Sequence, residues 1–452
     1  MRIRFNQFNI SKEEVILIFL ILVIFLSKIL TIHPTFSDEN LYFLMGKKVK
    51  EGLIVYKDFS YVHPPLQIYT YALFFNLLGT SFLVAKLIPL IFSSFCVLLV
   101  FLFSREIFER KVALFAGLLF LFNPAFIAFS DQGYGMWEAL AFLLLSLYFI
   151  VKQKTVFSAI SLTLSLFFRY LVLIYLPFMI ILIFLKKFNL KRFLFLFILS
   201  TFFTFMIIYS FFGDEFIRET ILFQIYARFL STTSKSIFQY FNFGFFTFFL
   251  CIISTIVALT RKDKLLMLFS LYPILIDSLL FLFFRNIVYH YFLLSLPFIA
   301  MATAKAFLIS KEMTIKFFII LVFILAYYTN LPTLDFYLNP KNSENIYQVR
   351  DWIQSKILDG EKIFGEYSIV SYISLSTNIP VAANRFDTYL DYMKFEGIAK
   401  IIEELEKDKP KFIIDLNDYL ISDVNFGEYI HKNYMLKKIF LGIPSYSVYQ
   451  RK

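Results

Sequence analysis

The chain has 452 residues, of which 59% are apolar, and 63 are Phe. Apolar runs of about 18 residues or more fit a bilayer better than a soluble core, so the composition excludes an ordinary soluble domain and indicates a polytopic membrane protein. The formal charge of +11 does not indicate a nucleic-acid partner, because the basic residues stand in short clusters between apolar runs, as topology signals do.

The basic start, Arg2 and Arg4, leads into the run VILIFLILVIFLSKILTI over residues 15–32. That run is too long for a cleaved signal and lacks a small-residue cleavage site, so it reads as a retained first span. The fold class expected is a polytopic α-helical membrane protein with about 11 transmembrane helices. They lie near 14–32, 81–103, 112–128, 136–151, 155–168, 170–185, 192–212, 240–260, 265–284, 287–308 and 314–331. One set of connecting loops carries Arg105, Arg110, Lys111, Lys152, Lys154, Lys186, Lys187, Lys191, Arg192, Arg261, Lys262, Lys264, Lys305 and Lys311. The alternate short loops carry only Arg169 and Arg285. The positive-inside rule then puts the basic set and the N-terminus in the cytoplasm, and an odd number of spans puts the C-terminal segment outside. Cys96 and Cys251 both lie inside apolar runs, so neither a disulfide nor a thiolate metal site is expected.

The first outer loop, about 33–80, contains two amphipathic pieces. In NLYFLMGKKVKEG, Leu41, Leu44, Met45 and Val49 share a helical face with lysines opposite. In PPLQIYTYALFFNLLG, Pro64 and Pro65 favour a helix start and Gly79 its end. Both are expected to lie in the outer interface and roof a cavity. Asp38 and Glu39 stand where the first span enters that loop. SDEN also suits a plain helix N-terminus, with Ser37 or Asp38 as cap and acids at the positive helix end.

Further ionisable groups gather at the same membrane level. Asp131 is the only charged residue in the loop between the third and fourth spans, and Glu138 follows near the outer end of the fourth. Asp277 lies inside an apolar run, where an ionisable group is costly and tends to face an interior cavity. His63, Arg169, Arg228, Arg285 and His290 fall in outer loops or at outer helix ends. As a set they suggest a polar site open to the outside.

The domain division expected is a transmembrane module over 1–335 and a small extracytoplasmic α/β domain over 336–452. In the latter, ENIYQVRDWIQSKI places Ile346, Val349, Trp352, Ile353 and Ile357 on one helical face. KIFGEY and KFIIDL are strand candidates, and GIAKIIEELEKDKP reads as a helix stopped by Pro410. No Gly-rich phosphate loop, HExxH or GxSxG stands there.

The order of these features resembles the integral-membrane glycosyltransferases of the GT-C class, in particular the protein-mannosyltransferase and aminoarabinose-transferase relatives. The resemblance rests on SDENLY, GLIVYKDFSYVHPPLQIYTYALFFNLLGTSFLVAKLIP, ILFQIYARFLSTTS, VYHYFLLSLPFIA and the soluble α/β tail, and covers most of the chain. It implies transfer of a sugar from a polyprenyl-phosphate donor to a lipid, glycan or protein acceptor at the outer face, with inversion. It also implies roles for Asp38 as general base or acceptor-orienting group, Glu39 as its neighbour, and Asp131 as a second acid of the catalytic set. His63, Arg228, Arg169 and His290 are the expected donor-phosphate ligands, and Tyr42, Asp58 and Glu138 the expected cavity lining. Leu41 stands where some relatives carry an arginine before the tyrosine, so a phosphate contact has to come from another base. Oxygen ligands such as Asp38 and Asp131 suit Mg²⁺ or Mn²⁺, but two acids do not make a site, and no metal or other cofactor is expected. The rival from another class is a transporter or flippase of lipid-linked sugars, which would show inverted repeats and Gly/Pro-broken helices in matching halves. A polymerase or ligase on the same carriers would differ in acceptor.

Overall fold

The computed structural model describes residues 12–227, 237–283, 289–442 and 444–452. Most of the apolar runs fold as helices close to their expected limits, but those expected from 170 and 287 begin their α-helices only at Leu176 and Leu296, after 3-10 turns. The helices are α1 (Lys12–Leu30), α2 (Glu39–Lys50), α3 (Leu66–Leu78), α4 (Phe82–Ile107), α5 (Arg110–Leu121), α6 (Pro124–Phe129), α7 (Met136–Val151), α8 (Thr155–Phe168), α9 (Leu176–Leu185) and α10 (Leu190–Phe212). After two short pieces, α11 (Asp214–Ile217) and α12 (Phe223–Ile225), come α13 (Ile237–Arg261), α14 (Lys264–Phe283), α15 (Leu296–Ile309) and α16 (Met313–Leu338).

Local sequence sets several of these boundaries. Ser81 caps α4 by accepting from the Val84 N–H (3.1 Å). The third apolar run breaks in two where Asn123 caps α6 and Pro124 occupies its first turn, the position at which proline costs no hydrogen bond. Asn189 caps α10 by accepting from the Arg192 N–H (3.0 Å). Among the described residues, Phe82–Ile107, Leu190–Phe212, Lys264–Leu282 and Met313–Leu338 are long and apolar enough to cross a membrane by length and composition alone. The exposed faces of α10 and α16 carry Phe195, Ile198, Phe202, Phe203, Phe317, Phe318 and Ile324. Such a surface is stable only against lipid, and the chain is a multi-pass membrane protein.

The C-terminal segment contains α17 (Glu344–Lys356), α18 (Tyr367–Thr377), α19 (Leu390–Glu396), α20 (Ile398–Asp408) and α21 (Val424–Asn433). They pack with strands β1 (Ile363–Gly365), β2 (Phe412–Leu416), β3 (Tyr434–Phe440) and β4 (Tyr446–Arg451) in one sheet of order β1-β2-β4-β3. β1 and β2 run parallel, with Phe364 opposite Ile413, and the other pairs are antiparallel. The parallel pair requires a crossover, which α18–α20 supply. Both strands and both helices expected in this segment are present.

The first outer loop differs from its expectation. α2 does not lie in the interface; residues Glu39–Lys47 are all buried. It is held between α3 and α18: Asn40 donates to the Ser368 carbonyl (3.2 Å), and Lys47 donates to the Ser374 carbonyl (3.1 Å) and to Asn378 Oδ1 (2.6 Å). Gly46 permits the approach to α3, since a Cβ there would stand 2.4 Å from Tyr71 Cβ. The amphipathic pattern was that of a helix buried on both sides, with the Lys47 amine reaching polar groups of the tail and Lys50 bonding the Phe75 carbonyl and Thr80 at the end of α3. α3 exposes Tyr69, Leu73, Leu77 and Leu78 on one side.

Candidate active site

A cavity of about 200 Å³ opens between the first loop, α12, the turn after α14, and the tail. Asp38, Tyr42 and His63 line it from the first loop, Phe223, Gln224 and Ala227 from the α12 segment, His290 and Tyr291 from the turn, and Tyr367, Asp387 and Tyr389 from the tail. A second compartment of about 300 Å³ shares His63, Gln224, His290 and Tyr291 with the first. Its remaining wall is mostly apolar and includes Pro64, Met136, Leu171, Ile174 and Ile225, with Arg169 among them. The site is thus a polar chamber continuous with an apolar one, the shape suited to an amphiphile.

Asp38 stands at the N-terminus of α2 but makes no capping bond to the helix. Its Oδ1 accepts from the Tyr367 hydroxyl (3.1 Å). Ser37 does not cap either; its hydroxyl meets that of Thr35 (3.1 Å). Burial and the Asp38 charge push the Tyr367 phenol well above its ordinary range, so it stays protonated and keeps donating. The same two causes raise Tyr42, whose hydroxyl lies 3.2 Å from His63 Nε2. His290 stacks on Tyr134 at 4.3 Å.

Arg169 is fixed where α8 ends. Its Nε donates to the Tyr134 carbonyl (2.6 Å) and its Nη2 to Gln67 Oε1 (2.7 Å), and its guanidinium covers the Tyr42 ring at 5.3 Å. Nη1 is buried without a hydrogen-bond partner among the described residues. Gly135 makes this packing possible: its φ is +72°, and a Cβ would stand 2.7 Å from Gln67 and 3.0 Å from Arg169.

The other expected acids are elsewhere. Glu39 and Asp131 do not line the cavity. Lys86 bridges them, at 2.7 Å and 3.3 Å, and Lys28 lies 2.6 Å from Asp131, all four being buried. Glu39 also accepts from Thr35 (2.8 Å) and from the Gly133 N–H (3.0 Å). Burial would push the Asp131 carboxyl up, but Lys28 and Lys86 hold it down at about 2. This cluster joins α1, α2, α4 and the loop before α7. Asp58 is exposed, accepts from the Ile54 N–H (2.6 Å), and lines a separate cleft. Glu138 is fully buried in α7, without a hydrogen-bond partner among the described residues, and lines neither compartment. Asp277 accepts from Ser295 (2.6 Å), which in turn meets Tyr175 (2.8 Å). Arg228 and Arg285 lie outside the described residues; Arg228 follows Ala227, a wall residue of the cavity.

Sequence reasoning missed two groups. Lys28 and Lys86 were legible, since each is a lysine inside an apolar run and has to find a carboxylate. Tyr367, Asp387 and Tyr389 carried no signal, being ordinary residues of a polar tail. Among the described residues no group of three or more His, Cys, Asp or Glu side chains could hold a metal ion.

Residues 62–211 match the family model described as dolichyl-phosphate-mannose-protein mannosyltransferase. No curated protein matches the chain in sequence. Among solved structures the chain is similar to ArnT from Cupriavidus metallidurans in the apo state, with a TM-score of 0.68 at 12% identity over 96% of this chain and 97% of that one. Similarity to the same protein bound to undecaprenyl phosphate has a TM-score of 0.62, again at 12% identity and the same coverage. The oligosaccharyltransferase of Archaeoglobus fulgidus in its apo form is similar with a TM-score of 0.55 at 11% identity, over 99% of this chain and 75% of that one. At such identities the likeness is one of fold: the chain has the fold of these proteins.

Proposed function

From that fold and its partitioned cavity, we propose that the chain is a membrane glycosyltransferase, moving a sugar from a polyprenyl-phosphate carrier to an acceptor at the outer face of the membrane. The observation that carries the reading is the division of the cavity. A carboxylate, Asp38, is held by a permanent phenol donor in the polar chamber, while Arg169 belongs to the apolar one and His63 and His290 to both. The mannosyltransferase match over 62–211 and the undecaprenyl phosphate bound by the similar ArnT support a lipid-linked donor.

In this reading the lipid chain lies along the apolar compartment and its phosphate meets Arg169 and His63. Arg228 is a further candidate for that phosphate by the family resemblance. The acceptor hydroxyl attacks the anomeric carbon as its proton passes to Asp38, which is worth roughly 10²–10⁴ in rate. The bond from that carbon to the phosphate oxygen breaks, the electron pair leaves with the phosphate, and fixed cations stabilise the charge formed. Attack opposite the leaving group gives inversion. Glu39 and Asp131 serve this site by anchoring α2 and the loop before α7 through Lys86 and Lys28. The basic loops place the N-terminus in the cytoplasm and the tail outside.

The test is release of polyprenyl phosphate by purified protein from a panel of radiolabelled polyprenyl-phosphate sugars, beside Asp38→Asn. Release that depends on Asp38 is expected. Movement of lipid-linked sugar across liposomes with no donor consumed would overturn the reading in favour of a transporter.

A further inference from the structure

The tail contributes a second carboxyl to the polar chamber. Asp387 lines it together with Asp38, Tyr42, Tyr367 and Tyr389. Its Oδ1 accepts from the Tyr389 N–H (3.1 Å), while Oδ2 has neither a hydrogen bond nor an ion pair among the described residues. The segment that carries it is rigid. Phe386 packs on Phe59 of the first loop, Thr388 donates to the Gly365 carbonyl (2.8 Å), and the Leu390 N–H donates to the Tyr419 hydroxyl (2.8 Å). Two residues before Asp387, Arg385 is clamped on Glu404 through two bonds (2.8 and 3.0 Å).

The charges around Asp387 decide what it can face. Among the described residues, the wall around it offers Asp38, Tyr42, Tyr367 and Tyr389, whereas Arg169 lines the far compartment. A sugar hydroxyl turned toward Asp387 would donate to its free carboxyl oxygen. Aromatic rings beside that oxygen suit the apolar faces of a pyranose or furanose ring.

Resting on the glycosyltransferase reading, we propose that Asp387 is a sugar-recognition residue: its free carboxyl oxygen binds a hydroxyl of the transferred sugar while Asp38 works on the acceptor. The roof of the site is then part of its specificity, and the tail reads the donor as well as covering it. Burial, with a further contribution from the Asp38 charge, pushes the Asp387 carboxyl up to about 7 even though the Tyr389 N–H pulls it down. Near neutrality it can therefore both accept from and donate to a hydroxyl.

The bond from the Tyr389 N–H to Asp387 is also what a turn-forming Asp makes before a helix, and Asn makes the same turn. Asp387→Asn therefore keeps the fold and removes the carboxyl. The experiment compares the affinity of purified protein for undecaprenyl phosphate with that for undecaprenyl phosphate carrying each of a panel of hexoses and pentoses. The wild type is expected to prefer one sugar-bearing carrier by roughly tenfold or more, the range of a hydrogen bond to a charged group. Asp387→Asn is expected to lose that preference while its affinity for bare undecaprenyl phosphate and its melting temperature stay unchanged. Should Asp387→Asn not fold, Asp387→Ser, which also forms the turn, is read instead. Preference retained in the variant overturns the proposal, as does equal loss of affinity for the bare carrier, or no preference in the wild type for any sugar. A wild type that binds neither form overturns the donor reading itself, which separates the two failures.

Discussion

The carboxylate of Asp38 accepts a hydrogen bond from the hydroxyl of Tyr367 (3.1 Å), across 329 positions of chain. One partner belongs to the first loop after α1 and the other to the first turn of α18 in the tail, so the tail contributes a donor that orients the carboxyl of the proposed reaction. Asp38 gives α2 no capping bond, and its side chain is committed to the cavity.

Asp38→Asn should therefore cost turnover and little stability. A fall in kcat of roughly 10²–10⁴ is expected, with a melting temperature close to that of the wild type. Tyr367→Phe, which removes one donor from the carboxylate, should lose roughly tenfold in kcat. Single-turnover release of polyprenyl phosphate measures both, and near-normal rates in Asp38→Asn would remove it from the mechanism.

The neighbouring acid should behave in the opposite way. Lys86→Met leaves buried Glu39 without an ion pair among the described residues and Asp131 with Lys28 alone, and stripping one partner from a buried ion pair costs about 3–5 kcal/mol. Loss of monodisperse protein in detergent is expected for Lys86→Met, with partial recovery when Glu39→Gln is added. A folded Lys86→Met protein with only its kinetics altered would contradict the anchoring role.

Arg169→Lys tests the donor end. Lysine keeps the charge but cannot span Tyr134 and Gln67 while presenting a further donor. The KM for the lipid donor should rise roughly tenfold, the range of one charge-assisted hydrogen bond, and the KM for the acceptor should hardly move. Equal losses on both substrates would argue against a phosphate role.

Glu366 gives a pH test outside the membrane. It caps α18 by accepting from the Ser368 and Ile369 N–H groups (3.1 and 3.2 Å) and from the Ser368 hydroxyl. Burial pushes it up to about 7 from an ordinary 4.5, against the pull of those bonds. A raised folded-state value means that its contribution is full below about 4.5 and is lost as pH rises toward 7, by on the order of 3 kcal/mol. The melting temperature should fall across that window, and Glu366→Gln should fall less. Parallel profiles for the two proteins would refute the assignment.

A tag at the C-terminus should react with an impermeant label in intact cells, and one at the N-terminus only after lysis. Labelling of the C-terminal tag only after lysis would reverse the proposed orientation.

The limits of the apolar helices, the existence of the polar first loop and the mixed α/β tail were legible in the sequence, because periodicity and burial in lipid act locally. α7 and α8 even begin and end where the apolar runs do. Lys28 and Lys86 carried a readable signal too, since lysines inside apolar runs require buried partners. What local pattern could not decide was the division of labour between Asp38 and Glu39. Successive residues of a helix point about 100° apart, so one adjacent acid faces the cavity and Tyr367 while the other turns inward to Lys86. Nothing in SDEN says which, because the answer depends on where α4 and α18 pack. Asp387 was invisible for a stronger reason: an acid in a polar tail is unremarkable until long-range packing of Phe386 on Phe59 carries it over the membrane site. Sequence by itself determined which segments form apolar helices and which chemical groups are available, since hydrophobic transfer and charge are properties of each residue. Only the tertiary structure decided which of those groups share a chamber, since that follows from contacts between segments hundreds of residues apart.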